Sequence, residues 1–269
     1  MSKTNTPPIL AQKYYNESSV FRPENLLREA RRQMEIKECP VPEVCLLDPD
    51  GDLVTYLKRT GQAAKNECWA CYHSELYSYN LNGTEIGIIP CAVGASYAVL
   101  IAEQLFVSGC KLLLSVTSSG IVTDEPIPKR FALITEAIRD EGTSYHYLPP
   151  DQPAQIQDKL LNQLRSSFEL EKEKENQPFF EAKSWTTDAP YRETQSALDA
   201  MGESGAVCVE MEAAALYAFA ERSNNQVICF AHLTNTMARE EGDFEKGEEF
   251  GSLETIDLIG KTLERLGMI

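Results

Sequence analysis

The segment "AVCVEMEAAALYAFAE", residues 206–221, decides the fold class. Val207 and Val209 are strand-like, and Ala213 to Glu221 is rich in strong helix formers. Glu210 and Glu212 stand where a buried strand would hand over to a helix. A charge at such a place is costly unless it is paired or hydrogen-bonded. In sheets covered by helices on both faces, ligands bind beyond the carboxyl ends of the strands. On one reading, Glu210 or Glu212 holds a polar ligand. On the other, both cap the following helix, whose N-terminal dipole suits a negative charge.

On either side of this junction the chain mostly alternates between strand and helix. "SSVFRPENLLREARRQME" predicts a helix start marked by Ser19 and Pro23. "EVCLLDPDGD" is a strand running into a turn, and "DLVTYLKRTG" a helix closed by Gly61. "WACYHSELYSYNLNGTEIGIIPCAV" alternates and holds Asn82-Gly83, a strong hairpin signal. "GASYAVLIAEQLFVSG" reads as a helix, and "CKLLLSVTSSG" as a buried strand entering a small-residue loop. "KRFALITEAIRDEG" is expected to be a helix and "TSYHYLP" a strand. A periodic helix and a charged, solvated run follow. Then "FEAKSWTTDAPYRETQSALDAMGESG" gives a strand, a polar loop and a helix. After the central junction, "QVICFAHLTN" is a strand, "MAREEGDFEKGEEFGS" a polar loop of lid-like length, and "LETIDLIGKTLERLGM" an amphipathic helix. This order indicates an α/β chain with a mixed sheet. There is no internal repeat and no domain linker.

The chain has 269 residues, a formal net charge of −16 and 43% hydrophobic residues. The composition supports a sizeable core. The charge disfavours nucleic acid or an anionic membrane as partner, since phosphate binding needs clustered Lys and Arg. No apolar run reaches the roughly 18 residues of a membrane span. The N-terminus lacks a hydrophobic signal core, so a cytoplasmic location is expected. Eight cysteines are present (39, 45, 68, 71, 91, 110, 208 and 229). In a cytosol all are expected to be reduced. Cys68 and Cys71 form a C-x-x-C, but no second ligand pair stands at zinc spacing, so no metal is expected.

Three polar stretches follow predicted strands: Thr117-Ser118-Ser119-Gly120, Thr186 to Thr194, and Thr234-Asn235. With Met211-Glu212 they outline a ligand crevice. The groups are mostly neutral donors and acceptors, with three carboxylates and one arginine. Such a set suits a sugar and a heterocycle better than a bare polyanion.

"LLLSVTSSG", "AIRDEGTSYHY", "TTDAPYRET" and "VEMEAAALYAFA", in that order, resemble the nucleoside phosphorylase-I superfamily over roughly residues 40–266. That group includes purine nucleoside and uridine phosphorylases and methylthioadenosine/adenosylhomocysteine nucleosidases. The run "RDEGTSYHYLPP" is most similar to the uridine phosphorylase branch. The resemblance implies a three-layer α/β/α sandwich around a mixed, partly barrel-like β-sheet. It divides the chain into an N-terminal extension with a helix (1–39) and a single phosphorylase-like domain (40–269). It implies phosphorolysis of a nucleoside's N-ribosidic bond, with inorganic phosphate as co-substrate and no other cofactor. The implied assembly is a homodimer or a hexamer built as a trimer of dimers.

The resemblance also implies roles. Glu212 would hold the ribose 2′- and 3′-hydroxyls, Met211 would pack on the sugar, and Glu210 would support them. Ser118 and His73, the latter from a neighbouring subunit, would complete the ribose site. Pro190 or Tyr191 would cover the base and Arg192 would bond its carbonyl. Asn235 stands where bacterial purine enzymes place an aspartate. It can hydrogen-bond the departing base but cannot protonate it, which favours uridine or a 6-oxopurine nucleoside over adenosine as substrate. Ser118, Ser119 and Gly120, with Asp48 and Asp50, outline the site for phosphate or water.

The sequence departs from the family pattern at the phosphate ligands. Gly51, Ser115 and the His73-Ser74 stretch stand where the family has arginines. Two alternatives therefore stay open beside phosphorolysis. Water can be the nucleophile, with Asp48, Asp50 or Asp52 as base, or the protein binds a nucleoside without cleaving it.

Overall fold

Strand β10 (Gln226–Asn235) is buried from Val227 to Asn235 because it has a strand on each side. It runs parallel to β5 (Leu112–Ile121) and antiparallel to β6 (Phe131–Asp140). The computed structural model describes residues 7–11, 13–169, 177–237, 241 and 243–269. Within them, the ten-stranded sheet has the order β10-β6-β8-β9-β5-β1-β4-β3-β2, with β7 (Ala154–Gln155) on β6. Here β8 is Phe179–Thr187, β9 Ala206–Glu210, β1 Val44–Asp48, β4 Thr84–Pro90, β3 Tyr77–Leu81 and β2 Ala63–Lys65. The extra β10–β5 pairing closes β10, β6, β8, β9 and β5 into a small barrel. The other strands continue from β5 as an open wing.

Helices cover this sheet in two groups. Helices α1 (Pro23–Met34), α3 (Ala95–Val107) and α6 (Ala213–Ser223) pack together, as do α2 (Asp52–Arg59), α4 (Asp158–Glu169) and α7 (Ser252–Arg265). The short α5 (Gln195–Glu203) packs on β9. The architecture is the α/β/α sandwich with a mixed, partly closed sheet. Tyr217 fixes α6 to the barrel: its hydroxyl donates to the Ile134 carbonyl at 2.5 Å and accepts from the Cys229 N–H at 3.0 Å. No helix among the described residues is long and apolar enough to cross a membrane.

Several local expectations need correction. Residues 131–140 are strand β6, not a helix. Ala, Leu and Glu favour a helix, but Phe131 to Ile134 are buried between β10 and β8. A continuous apolar run of this kind does not discriminate helix from buried strand. Residues 144–146 form a 3-10 turn rather than a strand. Arg139 holds that segment, donating to the Leu148, Pro149 and Gln152 carbonyls. Thr117 to Gly120 remain inside β5, so the small-residue stretch is a strand and not a loop. The hairpin stands as read: Leu81 pairs with Thr84, and Asn82 and Gly83 both have positive φ. The charged run at 171–176 lies outside the described residues.

The expectation of eight reduced cysteines is also overturned. Cys39 and Cys68 form a disulfide, and Cys71 is a free, buried thiol. The C-x-x-C pair is thus split. Cys68 ties the segment after α1 to the loop before β3.

Candidate active site

At the opening junction the two carboxylates have different tasks. Glu210, the last residue of β9, is buried and saturated with donors. It accepts from Ser184 Oγ at 3.0 Å, from Thr186 Oγ1, and from the N–H groups of Glu212 and Ala213 at 2.7 Å each. It therefore satisfies the first amides of α6 and stitches them to β8. Glu212 occupies the N-cap position of α6, yet its side chain caps nothing. Its Oε1 accepts the Gly94 N–H at 2.7 Å, while its Oε2 is buried without a hydrogen-bond partner among the described residues. Burial, and then the neighbouring Glu210, push its carboxyl up to about 8. An unpartnered oxygen on a buried carboxyl is the kind of group a ligand hydroxyl satisfies.

Glu212 lines an open cleft of about 620 Å³, a size that suits a small molecule. The end of β5 contributes Thr117, Ser118 and Gly120, and the β9–α6 junction contributes Glu210 and Met211. Asn235 and Met237 follow from β10, and Pro190, Tyr191, Glu193 and Gln195 from the segment before α5. Pro49, Asp50, Val93 and Phe244 complete the mouth. A Cβ at Gly120 would meet Met237 Sδ at 2.7 Å and Val209 Cγ1 at 3.2 Å, so a larger residue there must displace the Met237 side chain. The Asn235 Oδ1 accepts the Met237 N–H at 2.8 Å and its Nδ2 lies 3.1 Å from Thr234 Oγ1.

Of the residues expected at the site, the cleft brings together Glu210, Met211, Glu212, Asn235, Ser118, Gly120, Pro190, Tyr191 and Asp50. Four lie elsewhere. Ser119 is buried and does not line the cleft; its hydroxyl donates to the Thr117 carbonyl. Asp48 is buried behind the cleft, its Oδ2 accepting the Val54 N–H of α2 at 2.9 Å. Burial raises its carboxyl to about 7. Arg192 is exposed and does not line the cleft. His73 is also exposed, and its carbonyl accepts the Tyr97 hydroxyl at 2.6 Å.

Sequence reasoning missed three features. Glu193 lines the cleft, and burial lifts its carboxyl to about 7. Gln195 lines it too, at the start of α5. Lys246 folds back from the lid-like segment onto the first loop, where Nζ lies 3.2 Å from Asp50 and 2.5 Å from Asp52. Two arginines that could otherwise supply positive charge here are engaged elsewhere: Arg59 pairs with Glu249 and Arg130 with Glu254. Arg239 lies outside the described residues. Among the described residues, the charged ones lining the cleft, Asp50, Glu193, Glu210 and Glu212, are all acidic. Among the described residues no group of three or more His, Cys, Asp or Glu is placed to hold a metal ion.

The comparisons agree with this architecture. Residues 43–259 match the model of the phosphorylase superfamily. A guanosine phosphorylase from Halorubrum lacusprofundi is 26% identical over 161 residues, 56% of this chain and 65% of that protein. A uridine phosphorylase from Vibrio fischeri ES114 superposes with a TM-score of 0.69 at 18% identity, covering 88% of this chain and 99% of that one. A purine nucleoside phosphorylase from Toxoplasma gondii, in complex with immucillin-H, gives 0.68 at 14% identity, covering 84% and 93%. These two structural likenesses speak to the fold alone. With the family match spanning most of the chain and the same sheet at its centre, the chain belongs to the nucleoside phosphorylase-I superfamily.

Proposed function

We propose that this protein cleaves the N-ribosidic bond of a nucleoside, with water as the acceptor of the ribosyl group. The observation that carries the choice of acceptor is the acidic wall of the cleft. A phosphate dianion there would meet the Asp50 carboxylate, and among the described residues no cation lines the cleft to balance it, Lys246 being already paired with Asp50 and Asp52. Glu212 holds the ribose, using the oxygen that has no protein partner to accept from the hydroxyls. Such bonds strengthen as the ribose gains oxocarbenium character, so they favour the transition state over the bound substrate. Asn235 donates to the departing base through Nδ2. Glu193, with its raised carboxyl, is the lining group suited to deliver the proton that Asn235 cannot. Asp50 faces the cleft beside Ser118 and is placed to accept a proton from the attacking water.

Phosphorolysis is the second reading, favoured by one observation: the matched relative is named a guanosine phosphorylase and the first structural neighbour a uridine phosphorylase. A homo-oligomer is part of either proposal. Tyr72 (41% exposed), next to His73, and Val93 (51%), which lines the cleft, are exposed apolar side chains that suit a second copy. The deciding experiment incubates a panel of purine and pyrimidine nucleosides with and without phosphate and identifies the sugar product. Free ribose at a phosphate-independent rate is expected. Ribose-1-phosphate at a rate saturating in phosphate would overturn the hydrolytic assignment. Saturable nucleoside binding with no base released would overturn both.

A further inference from the structure

Asp50 is held in an unusual way for a loop aspartate. Its Oδ2 accepts a 2.9 Å hydrogen bond from the Ser118 N–H, and its Oδ1 lies 3.2 Å from Lys246 Nζ. An amide and an ammonium converging on one carboxylate are the donor set of an oxyanion site. A third donor stands on the same strand residue. The Ser118 hydroxyl oxygen is buried and has no partner among the described residues. The Lys246 side chain is only 12% exposed, so its charge is balanced by protein groups rather than by bulk water. Those groups come from the opposite end of the chain: Asp50 and Asp52.

The surroundings are built for polar contacts. Asp50 and Ser118 line the cleft and also a small space of about 20 Å³ shared with His232 and Ser252. His232 is 4% exposed and Ser252 1%, and His232 Nε2 and Ser252 Oγ lack hydrogen-bond partners among the described residues. A space of that size holds about one water molecule.

We propose that Asp50 is a built-in occupant of an oxyanion site. Its carboxylate fills the place between the Ser118 amide and the Lys246 ammonium where an external tetrahedral oxyanion such as inorganic phosphate would otherwise bind. The site is assembled from two distant segments, since Lys246 completes it only when the stretch before α7 folds onto the β1–α2 loop. For its catalytic meaning, exclusion of phosphate in favour of water, the inference rests on the hydrolytic reading above. As a statement about anion binding it stands independently.

The test measures binding of inorganic phosphate alone to the full chain, by calorimetry or by phosphorus NMR line width, without nucleoside or turnover. Asp50→Ala should bind phosphate about tenfold or more tighter than wild type, as charge-assisted donors are released. Adding Lys246→Met to that variant should abolish the gain. Asp50→Ser, which keeps a short polar side chain in the loop, replaces the alanine variant if that one does not fold, with the same expectation. Equal phosphate affinity of wild type and both Asp50 variants would overturn the proposal. So would a double variant that binds as well as the single one. The product assay is separate: ribose-1-phosphate from wild type would sink the hydrolytic reading while leaving a gain in Asp50→Ala intact. Free ribose with no such gain would do the reverse.

Discussion

The Glu212 carboxylate accepts the Gly94 amide at 2.7 Å across 118 residues of sequence, joining the start of α6 to the start of α3. That one bond uses one of its two oxygens and leaves the other buried without a hydrogen-bond partner among the described residues. Glu210, two residues earlier, has no such reserve. Four donors from Ser184, Thr186, Glu212 and Ala213 saturate it. Two carboxylates in one short motif thus divide into one saturated by protein donors and one with an oxygen to spare, and the ligand role proposed for the second can be tested.

Glu210→Gln should lower stability by about 3 kcal/mol, because an amide cannot accept from every side and one buried donor pair loses its acceptor. Glu212→Gln should leave the unfolding midpoint unchanged or raised, since a buried, poorly solvated carboxyl is removed. It should weaken nucleoside binding by about 1.5–3 kcal/mol, the range for hydrogen bonds to a charged group. Urea unfolding and nucleoside titration of both variants provide the check. Equal destabilisation by the two would show that Glu212 is structural as well.

The raised carboxyl of Glu212 makes nucleoside affinity pH-dependent. Its value of about 8 in the free protein means that a proton occupies the group at neutral pH. Ribose hydroxyls need the carboxylate as acceptor, so binding releases that proton. Affinity should therefore rise about tenfold per pH unit below 8 and level off above it. Stability runs the other way. The folded value exceeds the unfolded one, so this group's contribution is complete below about 4.5 and is lost as pH rises through 8. Affinity measured by titration calorimetry from pH 6 to 9 should show the slope in wild type and not in Glu212→Gln. A flat wild-type profile would refute the assignment.

Glu193 supplies a different limb. Its carboxyl, raised to about 7 by burial, is half protonated near neutrality. As proton donor to the leaving base it should be active below that value, so kcat should fall as pH rises above 7. Glu193→Gln should lower kcat by about 10²-fold and remove the alkaline limb, in line with the usual contribution of a general acid. Nucleosides whose bases leave without protonation should be the least affected. A normal pH profile in the variant would assign the proton to water.

The sequence made some of this legible and hid the rest for physical reasons. The strand-to-helix junction at 206–221 was readable because local chemistry dictates it. Valines give way to alanines with two carboxylates between them. Asn82-Gly83 was readable for the same reason, since both positions need positive φ. Phe131 to Asp140 was not, because its strand state comes from β10 and β8 on either side and not from its own propensities. Lys246 was invisible as a site residue because it lies 194 residues from Asp52 in a charged segment that reads as solvent-exposed. Glu193, beside Arg192, reads as half of a surface pair, and only the fold shows that the glutamate turns inward while the arginine stays out.

Gly251 is where the segment carrying Phe244 and Lys246 rejoins the core. Its φ is +77°, and Glu249 and Phe250 before it are also left-handed. A Cβ at Gly251 would collide with His232 Cε1 and approach the Lys246 carbonyl oxygen to 2.7 Å. His232 cannot give way easily: it is buried and stacked on Phe131 at 4.6 Å. Gly205 offers a control, with φ +85° and nothing within 4 Å of its Cβ position. Gly205→Ala should therefore cost only the left-handed backbone penalty, about 1–2 kcal/mol. Gly251→Ala should cost that plus overpacking, a further 1–3 kcal/mol or about that. It should also displace Lys246 from Asp50 and Asp52, and so weaken nucleoside binding at the cleft that Asp50 lines. Urea midpoints and nucleoside affinity of the two variants decide the matter. If Gly251→Ala behaves like Gly205→Ala in both measurements, the segment before α7 is not fixed to the core through His232.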